Sequence, residues 1–268
     1  MSWVQAIVLG VVQGLTEFLP VSSSAHLILA PRLLGWPDQG LDADLAAHLG
    51  TFLAVAVYFR RDLVEIVSGG LDALRGDRPR GRLAWILIVG TVPLAIGGLL
   101  LAHWAETAAR DPRIIIGSSI GFGLLLAVAD LWGRRQRELH GVTTADGLWV
   151  GAAQVLAAIP GTSRSGITIT AGLFRGLDRA SAARFSFLLA VPAMLLVAAK
   201  HVLDVALGKV PLGALGPQAL LFAVSAVVGF LVIAWLLRYL QRGSLMGFVI
   251  YRIVLGLVVL ALWWRGGL

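Results

Sequence analysis

Cysteine is absent from this chain of 268 residues, and charge is scarce: only 14% of its residues are Asp, Glu, Lys or Arg. The first absence excludes disulfide scaffolds, zinc–thiolate sites and thiol nucleophiles. The second excludes a disordered chain, which would be richer in charge and poorer in apolar residues. It also argues against a soluble domain, where about a quarter of residues are charged. A Walker loop, a dinucleotide-binding glycine fingerprint and a zinc motif are missing as well. What the chain has instead is 58% hydrophobic residues, the composition of a polytopic membrane protein. Its formal net charge of +7 comes from 22 Lys and Arg against 15 Asp and Glu. A basic balance can signal nucleic acid. Here the basic residues fall between apolar runs, as in the positive-inside pattern of membrane loops, so no nucleic-acid partner is expected. Met1–Leu19 has no basic start and carries Gln13 and Glu17 within its apolar stretch, which does not fit a cleavable signal.

A helix that crosses the hydrocarbon needs about 20 mostly apolar residues. Six stretches qualify: Asp44–Phe59, Leu83–His103, Arg113–Trp132, Ala183–Leu203, Gln218–Leu237 and Leu245–Trp264. Two further apolar regions, Trp3–Leu19 and Leu148–Ile159, are broken by proline and a hydroxyl-rich turn, then followed by the short pieces Ala25–Leu34 and Gly166–Phe174. Each pair reads as a re-entrant helical hairpin that dips to mid-membrane and returns; the alternative is two proline-kinked spans. Broken helices at that depth need protein or a water-filled cavity to satisfy their backbone, so the two turns are expected to face each other. Arginines of the Arg60–Arg82 loop, with Arg134, Arg135, Arg137, Arg238 and Arg242, mark the cytoplasmic side; Arg110, Arg113, Lys200 and Lys209 fall opposite. The Arg60–Arg82 loop itself reads as solvated surface or a contact to anionic lipid heads.

The two broken regions resemble each other. Gly10-Val-Val-Gln13 precedes Pro20-Val-Ser-Ser-Ser24, and Gly151-Ala-Ala-Gln154 precedes Pro160-Gly-Thr-Ser-Arg-Ser165. Each is followed by three candidate spans, and an odd number of crossings inverts one half against the other. The expected fold is therefore an all-α membrane domain over 1–268, with six transmembrane helices, two re-entrant hairpins and inverted halves of about 1–135 and 146–268. A site is expected where the broken helices meet.

Chemistry-bearing residues gather at the turns. Glu17 follows Gln13 by four residues, on one helical face. An ionisable group in hydrocarbon needs a polar partner. Ser22, Ser23, Ser24 and His26 follow, so carboxylate, hydroxyls and imidazole lie around one turn, a set suited to acid–base or nucleophilic chemistry. In the second turn Arg164 sits among Thr162, Ser163 and Ser165. A guanidinium in an apolar setting needs an anion, and its fork fits phosphate oxygens; an ion pair with Glu17 is the competing reading. His48, His103, His140 and His201 show no matching cluster, Asp130 is expected to pair with the basic loop, and Trp263 and Trp264 read as interfacial anchors.

The segments QGLTEFLPVSSSAH (Gln13–His26) and PGTSRSGIT (Pro160–Thr168) closely resemble the two signature motifs of the undecaprenyl-diphosphatase family, bacterial membrane phosphatases associated with bacitracin resistance. Motif order, chain length and span pattern extend the resemblance over essentially the whole chain. It implies removal of one phosphate from undecaprenyl diphosphate, which supplies the lipid carrier for peptidoglycan, with help from a divalent cation, Mg²⁺ or Ca²⁺. It also implies inverted repeats with two re-entrant hairpins in the bacterial cytoplasmic (inner) membrane. By that resemblance Glu17 and Gln13 hold the cation, although many members have Glu where this chain has Gln13. Glu17, Ser23, His26 and Arg164 are the expected catalytic residues; Ser22, Ser24, Thr162, Ser163, Arg164, Ser165 and Thr168 are expected to bind phosphate. Either Ser23 attacks with help from His26, or His26 and Glu17 activate water. The first hairpin opens outward, so the site is expected to face the periplasm. Expected partners are the polyprenyl diphosphate, membrane lipids and a second copy of the chain in a homodimer. The rival reading is a polyprenyl-lipid flippase or secondary transporter on the same scaffold.

Overall fold

The computed structural model describes residues 1–75, 81–108, 111–207 and 215–265. Among them it is all helical apart from one isolated bridge between Arg137 and Leu177. The eleven α-helices are α1 Trp3–Thr16, α2 Ser23–Leu33, α3 Leu41–Tyr58, α4 Arg60–Leu74, α5 Arg82–Ala108, α6 Pro112–Trp132, α7 Thr144–Val155, α8 Arg164–Phe174, α9 Arg179–Ala206, α10 Leu215–Tyr239 and α11 Met246–Trp264. Six of them are long and apolar enough to cross a membrane: α3, α5, α6, α9, α10 and α11. They coincide with the six stretches expected from hydropathy, and the chain is a multi-pass membrane protein. Arg78, Arg80, Arg110 and Lys209 lie outside the described residues, as do the side chains of His103 and His201.

The other helices have different causes. α1 spans 14 residues, α2 11, α7 12 and α8 11. At 1.5 Å per residue each reaches at most about 21 Å, short of the roughly 30 Å of hydrocarbon. α4 corrects the expectation of a loop after Arg60. Its apolar residues recur at helical spacing, with Val64, Val67, Leu71 and Leu74 exposed on one side, the pattern of a helix lying in the membrane interface.

Both short pairs return to where they began. Before α7, the amides of Gln136 and Arg137 donate to the Gly176 carbonyl beyond α8, and the Asp178 amide donates back to Arg137. The first pair does likewise: Met1 and Gln5 share a small cavity with Pro31, Trp36 and Gln39. The two pairs also correspond in detail. α1 starts at a capping box of Ser2 with Gln5, and α7 at one of Thr143 with Asp146. The separation from Ser2 to Thr143 is the same as from Gln13 to Gln154, from Ser22 to Ser163, and between both ends of α2 and α8. The prolines alone depart from it: Pro20 and Pro160 stand one residue out of step with the glutamines and the turn serines.

The helices pack in matching pairs. α1 lies on α10 and α7 on α5; α3 lies on α10 and α9 on α5; α6 pairs with α11. Small residues allow the closest approaches. A Cβ on Gly151 of α7 would collide with the Gly90 carbonyl of α5, and one on Gly14 of α1 would come within 2.6 Å of Val228 on α10.

Three buried charges fix the frame. Arg252 of α11 is 1% exposed and donates to five carbonyls: Ser119 (3.1 Å) and Ser118 (3.2 Å) of α6, Pro20 (3.4 Å) of the first turn, and Gly161 (2.9 Å) and Thr162 (2.8 Å) of the second. Asp146, fully buried at the start of α7, accepts from Arg137 (2.6 Å), Arg175 (2.6 Å) and the Thr143 hydroxyl (2.8 Å). Burial alone would raise the Asp146 carboxyl, but hydrogen bonds from Arg137, Arg175 and Thr143 outweigh it and hold the group below the usual carboxylate range. Asp130 pairs with Arg179 at the start of α9, and accepts from Ser244 and the Leu245 amide. Its partner is thus not the basic loop expected from the sequence but the segment that follows α8.

Removing the Arg252 side chain strands the turn carbonyls of Pro20, Gly161 and Thr162, each costing about 1–3 kcal/mol when left unpaired and buried, while those of Ser118 and Ser119 keep their bonds within α6. Arg252→Ala should therefore lose about 3 kcal/mol or more, read as a lower unfolding temperature in detergent, with Arg252→Lys intermediate. Asp146→Asn should cost about 2 kcal/mol, below the 3–5 of a fully buried pair because its arginines keep some water. The lowered carboxyl contributes stability above its unfolded pKa near 4 and loses it as the pH falls. The variant should lack that part of the acid-dependent loss; an acid titration of stability that matches the wild type would contradict it.

Candidate functional site

The site forms where the two turns meet. Glu17 ends α1, 7% exposed, and the i to i+4 relation puts it beside Gln13, whose Nε2 donates to Glu17 Oε2 (3.2 Å). The chain then reverses through Ser22, which has a left-handed φ of 75°; the second turn reverses through Ser163 with a φ of 70°. Such angles cost a non-glycine residue about 1–2 kcal/mol. Each reversal swings the next residue, the first of its helix, back toward Glu17. Ser23 donates to Glu17 Oε2 (2.7 Å), and Arg164 Nη2 donates to Glu17 Oε1 (2.9 Å). Equivalent positions of the two turns thus converge on the two oxygens of one carboxylate. The competing reading of Arg164 as an ion-pair partner of Glu17 is met in this state. Arg164 Nη1 is nevertheless buried with no partner among the described residues.

The flanking hydroxyls sort into two groups. Ser22 and Ser24 hydrogen-bond each other (3.1 Å), as do Ser163 and Ser165 (3.2 Å). Ser163 also caps α8 through the Gly166 amide (3.1 Å), whereas Ser22 gives α2 no side-chain cap. Ser165 donates to the Leu19 carbonyl and so ties the turns together. The Thr162 hydroxyl is buried and unpartnered among the described residues. Thr168 is directed elsewhere: its hydroxyl serves the carbonyls of Arg164 and Ser165 and meets Ser186 of α9 (2.6 Å).

His26 does not meet Ser23. Its Nδ1 contacts the Ser22 carbonyl (2.7 Å) and its Nε2 the Tyr251 hydroxyl (2.6 Å), with the two rings stacked. The expected Ser23–His26 pair is therefore replaced here by Ser23–Glu17. Sequence reading also missed His48. It sits one helix away in sequence, yet α3 brings its Nε2 to 3.6 Å from Glu17 Oε2, beside Thr51, which accepts from Gln13 (3.4 Å). Tyr251 and Arg252 were equally hidden, since they look like an ordinary interruption of the last span. An Arg inside a 19-residue apolar helix was the available signal for both.

The pair of Glu17 and Arg164 borders a void of only about 10 Å³, also lined by Thr51, Phe52 and Met194, room for about one water. Among the described residues no three His, Asp or Glu side chains gather as a metal site. The buried Gln13 Oε1, however, has no partner among those residues, leaving a free oxygen donor one helical turn from Glu17.

The chain has close relatives. An undecaprenyl-diphosphatase of Nitrosococcus oceani is 47% identical over 260 residues, covering 96% of this chain and 97% of that protein. Undecaprenyl-diphosphatase 2 of Stutzerimonas stutzeri is 48% identical, covering 98% of each chain. An undecaprenyl-diphosphatase of Moorella thermoacetica is 49% identical, covering 98% of this chain and 99% of its own. The family model described as bacitracin resistance protein BacA matches residues 6–258, both turns included. The chain belongs to the bacitracin resistance protein BacA family.

Proposed function

We propose that the chain hydrolyses undecaprenyl diphosphate to undecaprenyl phosphate and inorganic phosphate in the bacterial cytoplasmic membrane, recycling the lipid carrier used for peptidoglycan. Family membership and the names of the relatives support this reading. The observation that carries it in the molecule is the convergence of Ser23 and Arg164 on Glu17. A hydroxyl on a carboxylate is a nucleophile beside its base, and a guanidinium with a spare donor is a phosphate ligand.

Phosphate oxygens arriving at Arg164 compete with Glu17 for Nη2 and gain the free Nη1. Glu17, released from its ion pair, then accepts the Ser23 proton as Oγ bonds to the terminal phosphorus. The bond from that phosphorus to the bridging oxygen breaks, and undecaprenyl phosphate leaves. A water then cleaves the phosphoserine and frees inorganic phosphate. Attack by a water held at Glu17 yields the same products without the intermediate. Arg164 and the leading amides of α8 would offset charge on the phosphoryl oxygens. Glu17 and the Gln13 carbonyl oxygen suit a hard divalent cation, which takes one or two carboxylates plus substrate phosphates. Bound there, Mg²⁺ or Ca²⁺ would neutralise phosphate charge. For the isoprenoid chain, an apolar cleft of about 310 Å³ between α4, α5 and α9 shares Val191 with the space beside Glu17 and Arg164.

The same reading makes the α1–α2 and α7–α8 pairs re-entrant hairpins of two inverted halves, 1–135 and 146–268. The constant separation of matching residues and the paired packing support it. The loop arginines support an inward Asp178 and Gln241 and a site open to the periplasm. Flippase or transporter activity on this scaffold has no finding in its favour.

Purified protein in detergent, with no membrane to cross, should release phosphate from a polyprenyl diphosphate; a flippase would release none. Arg164→Lys keeps the charge and loses the fork, so turnover should fall at least about 10-fold. Glu17→Gln should lose roughly 100-fold or more. Ser23→Ala decides the attack: near-complete loss favours the serine, while turnover within a few-fold of wild type leaves water as nucleophile. The native absence of cysteine makes topology testable as well. Single cysteines at Gln39, Asp178 and Gln241 meet a membrane-impermeant maleimide in intact cells. Only Gln39 should label; labelling at Asp178 would mean a crossing in place of the second hairpin.

A further inference from the structure

We propose that Tyr251 is a proton-relay residue acting through His26, an inference that rests on the hydrolysis proposed above. Ser22 is left-handed. Its φ of 75° turns the Ser22 carbonyl toward the following helix, where it meets His26 Nδ1 at 2.7 Å. A carbonyl only accepts, so Nδ1 carries a hydrogen. In the neutral ring the remaining lone pair is on Nε2, and the Tyr251 hydroxyl lies 2.6 Å from it. The rings stack with planes 13° apart and centroids 5.7 Å apart, which holds the imidazole in one orientation. Tyr251 itself is held by its neighbour Arg252, whose guanidinium binds the carbonyls of both turns.

The consequence is a single proton route through His26. Nδ1 is committed to backbone, and Ser23 is committed to Glu17. Nε2 is the one exchangeable position of His26, and Tyr251 covers it. A hydroxyl both donates and accepts. As a water or a phosphate oxygen gives its proton to Tyr251 Oη, the Oη–H bond breaks and Nε2–H forms. The positive charge then rests on the imidazolium, and the reverse transfer returns a proton to the leaving phosphate. Tyr251 is 44% exposed while His26 is half-buried, so the proposed relay runs from Tyr251 inward to His26.

A double-mutant cycle on phosphate release from a polyprenyl diphosphate tests this, since residues acting as a unit are non-additive. Tyr251→Phe keeps the stacked ring and loses only the hydroxyl. Its kcat should fall at least about 10-fold with KM changed less than about 2-fold, and its elution and unfolding temperature in detergent should match the wild type. In a His26→Ala background, Tyr251→Phe should cost nothing further. Wild-type turnover in Tyr251→Phe, or losses that multiply in the double variant, would overturn the relay while leaving hydrolysis intact. A wild-type protein that releases no phosphate would sink the hydrolysis and this inference with it.

Discussion

Irregular backbone cannot be left unpaired inside an apolar protein, and Arg252 is how this chain meets that constraint. Two turns and a stretch of α6 bring five carbonyls to one place, those of Pro20, Gly161 and Thr162 outside any helix, and a single guanidinium donates to all five. A planar fork is suited to this task because its donors point in several fixed directions at once; an ammonium would offer fewer, without fixed aim. A buried cation is normally expensive unless paired. Here the partial charges of converging carbonyls take the place of a carboxylate. That leaves Glu17, the carboxylate nearest the turns, available to Ser23 and Arg164.

The near-symmetry of the halves makes the asymmetry of the site informative. Both turns use a left-handed serine, both link it to a serine two residues on, and both begin an 11-residue helix directly after it. The scaffold is duplicated, but the side chains it delivers are not. One turn presents Ser23 and the other, at the equivalent position, Arg164. The glutamine of the first half lies against Glu17, whereas its counterpart Gln154 is buried with neither amide atom partnered among the described residues. Only the first half carries the carboxylate. A duplicated frame thus aims two different groups, a hydroxyl and a guanidinium, at the two oxygens of one carboxylate.

Composition and periodicity were enough for the six long helices, because an apolar run of that length has few alternatives in any context. The short pairs were legible as well, since proline and clustered hydroxyls break a helix for local reasons. Contacts between distant segments were not. His48 looked isolated because its relation to Glu17 exists only once α3 packs beside α1. The Ser23–His26 pair expected from proximity in sequence failed for a conformational reason: Ser22 turns left-handed, so its carbonyl captures Nδ1 and the ring faces Tyr251 instead. The loop at Arg60 became α4 because its apolar residues fall on one helical face, a pattern that charge counting obscured. The likeness of the two broken regions was visible in the sequence, although the spacing from glutamine to proline differs by one residue between them. The structure aligns the reversal points and lets the prolines fall where they will.

The small void at Glu17 bears on how such a site meets its substrate. With room for about one water, a diphosphate cannot enter without displacing something. The Arg164–Glu17 ion pair is the natural element to yield, because the substrate offers Arg164 the same kind of oxygen with more negative charge. An empty site with Arg164 and Glu17 apart would bury two lone charges, which is costly in an apolar setting. The ion pair satisfies both charges in this structure, and in the proposed mechanism an anion that replaces the carboxylate opens it. In the mechanism proposed above, recognition and activation become one event: the anion that takes Arg164 from Glu17 also frees the carboxylate to act as a base.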